Sequence, residues 1–204
     1  MQRTPILVIS LAVLLALLAW SGWQPYDRAT WLLEVFPIFV VVPLLLLTYS
    51  RLPLSSLLYL CIFLHAVILL VGGAYTYARV PLGFQIAEAL GLHRNPYDKI
   101  GHFAQGFVPA LATREILLRL GRISKGKLLN VLVVCVALAV SASYELVEWA
   151  AALALGQGAD EFLGTQGDPW DTQSDMFFAF VGATVAVLGF ARIQDSQLFT
   201  AARS

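Results

Sequence analysis

The chain has 204 residues, 59% of them apolar and 13% charged, with a mean hydropathy of +0.76. A soluble domain carries about 25% charged residues, so the composition excludes an ordinary water-soluble fold and puts lipid in the place of solvent. The formal net charge of zero excludes the one-sided basic excess of a nucleic-acid-binding surface.

A bilayer core about 30 Å thick needs roughly 20 apolar residues in a helix, because a helix satisfies its own backbone hydrogen bonds there. Six stretches meet that length: Ile6 to Trp23, Trp31 to Tyr49, Leu54 to Tyr77, Ile100 to Leu120, Leu128 to Leu155 and Asp175 to Ile193. The expected fold is an all-α polytopic membrane protein, six spans in one domain over residues 1–204. The first span exceeds the apolar run of a signal peptide and lacks a clear cleavage site, so it is read as retained. The fourth is the most polar, with Gln105, Arg114 and Glu115 in it. Residues 81 to 98 begin with Pro81 and carry Leu82, Ile86, Ala87 and Leu90 at helical spacing, as in a short helix lying along the interface. Gly156 to Ser174 lacks apolar periodicity and reads as a loop. Cys61 and Cys135 lie in apolar runs, where cysteine acts as a small hydrophobe. There is no internal repeat.

With the N-terminus in the cytoplasm, Arg3, Arg51, Arg114, Arg119, Arg122, Lys125, Lys127, Arg192 and Arg203 fall on the inner side. Arg28, Arg79, Arg94 and Lys99 fall on the outer side. This bias obeys the positive-inside rule and predicts both termini in the cytoplasm. Trp23, Tyr26, Trp31, Tyr75, Tyr77, Tyr97, Trp149 and Trp170 then gather near the outer boundary as interfacial aromatics. Of the acidic residues, Glu115 and Asp195 alone belong to the inner side.

An ionisable side chain within a span costs about 2.5–3.5 kcal/mol on insertion scales, so each needs a partner or a task. Asp98 and His102 stand four apart at the start of the fourth span and share a helix face. Glu145 and Glu148 are three apart in the fifth span, and Asp171 and Asp175 four apart where the sixth begins. Carboxylates from facing helices plus a histidine are the pattern by which bundles build metal sites, and the donors suit Mg²⁺, Ca²⁺, Mn²⁺ or Zn²⁺. The plainer alternative for Asp98, and for Asp171 or Ser174, is helix capping. Glu145 and Glu148 lie too deep in their span to be caps. Glu34 either joins the cluster or reaches the interface; His65 reads as a hydrogen-bonded core histidine and His93 as a solvated one. Gly164 to Asp171 is either a lid over the site or a surface loop. Arg114 to Lys127 serves orientation first, and contact with anionic lipid second.

Three motifs are specific together: Asn95-Pro96-Tyr97-Asp98-Lys99-Ile100-Gly101-His102-Phe103, Tyr144-Glu145-Leu146-Val147-Glu148-Trp149, and Gly167-Asp168-Pro169-Trp170-Asp171-Thr172-Gln173-Ser174-Asp175-Met176. On them the chain resembles the bacterial YjdF family of inner-membrane proteins, a resemblance that implies no established reaction. A fainter likeness joins Asp98, Lys99 and His102 to the Asp-Lys-x-x-His motif of VanZ-like membrane proteins. There Glu148 stands for a Gln, Asp175 for an Asn and Phe178 for a Gly, which makes this site more acidic.

Three functional readings remain open. The first is a metal-dependent membrane hydrolase acting on a lipid or lipid-linked substrate. Its catalytic groups would be His102, Glu145 and Glu148, its divalent-ion ligands His102, Glu145, Glu148, Asp171 and Asp175, with Asp98 and Lys99 behind them. The second is a non-enzymatic binder or transporter drawing a cation into the acidic vestibule. The third is a structural partner whose polar cluster fixes helix packing.

Overall fold

The computed structural model describes residues 3–155 and 165–200, and among these the regular structure is helical. The helices are α1 (Arg3–Trp23), α2 (Arg28–Thr48), α3 (Ser56–Tyr75), α4 (Pro81–Leu90), α5 (Tyr97–Arg119), α6 (Lys127–Leu155) and α7 (Asp171–Val185). A π-helical turn, Ala186–Phe190, joins α7 to α8 (Ala191–Thr200) in one continuous rod. Large apolar side chains face outward, with Leu47 at 78% and Leu188 at 77% exposure; exposed apolar surface on that scale is suited to lipid.

Among the described residues five helices are long and apolar enough to cross a membrane: α1, α2, α3, α6 and the α7–α8 rod. The fourth expected span, α5, has the length but is not among them. Its polar residues explain why, since Asp98, Lys99, His102, Arg114, Glu115 and Arg119 all ride on it. They are tolerated because α5 is the hub of the bundle, packed against α3, α6 and α7 and buried along much of its length.

Glycine sets the closest of those contacts. A Cβ on Gly106 would stand 1.8 Å from the Ala179 carbonyl oxygen, and one on Gly182 2.1 Å from that of Phe103. The backbones of α5 and α7 therefore touch, as small residues permit in membranes. Asp27 caps α2 and Ser55 caps α3, each accepting an amide hydrogen from the first turn.

The short helix ends earlier than its periodicity suggests. Gly91, at φ 65°, terminates α4 after Leu90, in the left-handed conformation that glycine adopts without cost. Residues 91–96 then lead into α5. Asp171 and Ser174, expected in a loop, form the first turn of α7; residues 156–164 of that loop lie outside the described residues. Tyr77 and Tyr97 do not face outward: they are buried, packed edge to face at 5.7 Å, with Tyr77 filling the space left by Gly72 and Gly101.

The end of the bundle away from the acidic pairs is also polar inside. Glu115, fully buried, accepts hydrogen bonds from the Ser55 amide (2.9 Å), the Ser55 hydroxyl (2.7 Å), Gln194 (3.3 Å) and Arg119 (3.0 Å). Arg114 donates to Gln194 at 3.1 Å and pairs with Asp195 at 2.8 Å. Much of the basic stretch is thus tied to protein acceptors, Lys125 to Asp195 and Arg119 to Glu115 and the Pro53 carbonyl. Glu115→Gln removes the charge that Arg119 and Ser55 share. The expected cost is about 1–3 kcal/mol, read as a lower melting temperature in detergent; an unshifted transition would show that the network contributes nothing net.

Candidate metal centre at the acidic end

At the other end, the first turns of α5 and α7 meet. Neither acid there is a cap: the N-cap positions are Pro96 and Trp170, without side-chain capping bonds, while Asp98 and Asp171 sit inside the first turns and are buried. His102 Nε2 points between two carboxylates, 3.4 Å from Asp98 Oδ1 and 3.6 Å from Asp175 Oδ1. One ligand atom from each of these three residues lies within 4.8 Å of the others. Two ligand atoms each about 2.1 Å from a four-coordinate ion stand roughly 3.4 Å apart, so the spacing fits a metal better than it fits direct hydrogen bonds.

The other ring nitrogen supports that fit. His102 Nδ1 lies 3.1 Å from Gln105 Oε1, an acceptor for an Nδ1 proton; with the ring neutral in that tautomer, the Nε2 lone pair would be directed at the two acids. A metal-binding histidine is oriented in this way by a hydrogen bond from its second nitrogen. Asp98 Oδ2 and Glu145 Oε1 are both buried without a hydrogen bond; Oδ2 has Lys99 at 3.6 Å, while Oδ1 is the Asp98 oxygen turned to His102.

Lys99 holds a more central position than a supporting one. Its Nζ lies 2.6 Å from Asp171 Oδ1, 2.7 Å from Asp175 Oδ1 and 3.6 Å from Asp98 Oδ2. An ion bound to Asp175 shares that carboxylate with the lysine. Asp171 is further drawn to the rim by Arg94, at 2.6 Å, and so stands with the cations rather than with His102. Glu145 approaches His102 on its Nδ1 side, at 3.8 Å, opposite to Asp98 and Asp175, and cannot share an ion with them through one nitrogen. Glu148 is buried on α6. Asp98, expected behind the ligands, belongs among them by position.

Several contributors escaped the sequence. Arg94 binds Asp168 (3.0 Å) and Asp171, and approaches Asp98 at 4.0 Å. Partial burial opposes its charge, but Asp171, Asp98 and Asp168 together outweigh this and hold the guanidinium above its ordinary pKa. The Gln166 side-chain amide pairs with the Asn95 backbone across the same seam, its Oε1 accepting from the amide and its Nε2 donating to the carbonyl. Glu34 joins the site from α2, its Oε2 accepting from the Tyr144 hydroxyl at 3.1 Å. His65 departs from expectation in having its buried Nε2 without a hydrogen-bonding partner; His93 is exposed, as its loop position suggests.

A polytopic helical bundle with a buried acid–imidazole cluster at one end is the class that fold and site define. The chain belongs to the family described as "Predicted membrane protein (DUF2238)", which matches residues 6–196. It is 59% identical over 201 residues to the inner membrane protein YjdF of Escherichia coli (strain K12), an alignment covering 97% of this chain and 96% of that protein. No solved structure matches it.

Proposed function

We propose that this protein is a metal-dependent hydrolase of the bacterial inner membrane, acting on a lipid or lipid-linked substrate at the periplasmic face. The observation that carries the reading is the placement of His102 Nε2 between Asp98 and Asp175 at metal-ligand spacing. Those three residues would hold the ion, whose chemistry there would be to make a water more acidic. Glu145 and Glu148 offer carboxylates as proton acceptors; Lys99, Arg94 and Asp171 fix the ligands and balance their charge. In this reading α5 crosses the bilayer as the sixth span, with its charged residues turned inward, and both termini lie in the cytoplasm. The Arg and Lys bias between the two faces supports that orientation.

Elemental analysis of detergent-purified protein is expected to find about one divalent ion per chain. Asp98→Asn, His102→Ala and Asp175→Asn should each release it. Glu148→Gln should retain the metal and lose turnover of extracted lipids. Protein that is free of metal after purification without chelators, and that takes up none on titration, would end the reading.

A second reading, cation transport, gains from the buried Arg114 and Glu115 in the far half of α5. Flux into proteoliposomes that Asp175→Asn abolishes, without lipid turnover, would favour it.

A further inference from the structure

A cavity of about 560 Å³ runs beside the cluster, between α1, α2, α3, α5 and α6. Its volume is that of a small-molecule site, but its shape follows the helices. Along α5 it extends from Asp98 to Ala112 and along α2 from Glu34 to Tyr49, roughly 21 Å at 1.5 Å per residue. At one end it is lined by Glu34, Asp98, His102, Tyr144 and Glu148; beyond them the walls are aliphatic, among them Leu11, Ile38, Val42, Ala66 and Val108. The proximity of a polar head and an apolar shaft is built by the sequence. Pro37 and Pro109 both line the wall, and proline keeps a helix from closing up by removing a hydrogen bond to residue i−4 and crowding its carbonyl. The carbonyl that Pro37 strands, that of Leu33, is approached by the Tyr144 hydroxyl at 3.4 Å.

We propose that this chamber binds one acyl chain of an amine-headed phospholipid, with the ammonium group against Glu34 and Glu148. The shaft lies within helices that cross the membrane, so hydrocarbon is the occupant at hand, and an apolar cavity does not recruit water. Charge selects the head. Among the described residues, the cations paired within 4 Å of the cluster's carboxylates are Arg94, Lys99 and, when protonated, His102. All of them lie on the Asp98–Asp171–Asp175 side or at Glu145, and Glu34 has only the Tyr144 hydroxyl. Buried carboxylates need a compensating cation or a proton, and a primary ammonium supplies charge together with three hydrogen-bond donors. The unpartnered His65 Nε2 lines the same chamber and provides a contact for an oxygen at the junction of head and chain. This deepens the hydrolase reading by naming its substrate class, and the metal measurement keeps the two separable.

The test uses the full chain in nanodiscs containing a phosphatidylethanolamine with a diazirine at the end of one acyl chain, compared with the phosphatidylglycerol analogue. Photolabelling is expected at peptides bearing Leu45, Tyr59 and Ala112, about tenfold stronger for the ethanolamine lipid. Ala112→Trp, and independently Ala66→Trp, should each cut it about tenfold with metal content unchanged, and Glu34→Gln should erase the preference between heads. Asp175→Asn should release metal yet keep the label. Labelling confined to lipid-facing sites such as Leu47 and Leu188, or equal labelling by both lipids, overturns the proposal whether or not metal is present. Label in the chamber of a metal-free protein would sustain it and sink the hydrolase instead.

Discussion

Gly106→Leu is expected to prevent the bundle from assembling. The added Cβ alone would stand 1.8 Å from the Ala179 oxygen and 2.5 Å from its carbonyl carbon. The obstruction is backbone on a helix that meets α5 again at Gly182, so no side chain can swing away. Overpacking a yielding core costs about 1–3 kcal/mol; here the helices must part, and the loss should exceed the upper figure. Fluorescence-detected size exclusion should show aggregate or degraded protein in place of a monodisperse peak. Gly189→Ala is the matched control, because a Cβ there meets nothing within 4 Å, and it should behave as wild type. A monodisperse Gly106→Leu protein with an unchanged melting temperature would show that α5 and α7 do not touch as described.

Lys99→Met carries the second largest effect. The lysine side chain is 11% exposed and lies within 4 Å of Asp98, Asp171 and Asp175, so its loss strands buried charge, most of all at Asp175, since Asp171 and Asp98 keep Arg94. Removing one member of a buried ion pair costs about 3–5 kcal/mol, and the melting temperature in metal-free buffer should fall accordingly. Adding a second change, Asp175→Asn, removes one of the stranded charges and should recover part of the loss. A millimolar divalent cation should recover more in the single variant than in the double. Equal recovery in both would mean that Asp175 ligates nothing.

The helices could be read because lipid imposes one rule on every span, a continuous apolar run of fixed length. That rule weakens at α5, where residues such as Glu115 are acceptable only because Ser55, Arg119 and Gln194 surround them, and two of those partners, Ser55 and Gln194, lie far away in sequence. The four-residue spacing of Asp98 and His102, and of Asp171 and Asp175, exposed half of the candidate site, since helical geometry alone places each pair on one face. It could not reveal that Asp98 stands nearer to His102 Nε2 than Glu145 does to that atom's side of the ring. Nor could it single out Arg94, which lies between helices where no periodicity operates and which finds Asp168 and Asp171 through the tertiary fold. Capping failed for a similar reason: an aspartate at a helix start is a good cap in isolation, yet here a neighbouring cation claims it.

The π turn at Ala186–Phe190 governs the azimuth of everything that follows it. At about 100° per residue, an uninterrupted α-helix would carry Gln194 roughly 100° around the rod from Asp175. A π turn absorbs one residue without advancing the spiral, cancelling that offset and bringing Gln194 back to the same flank. Asp175 meets Lys99 of α5 and Gln194 meets Arg114 of the same helix, so both extremities of the rod engage one neighbour. A roll of the rod about its long axis would therefore unseat the two ends in concert.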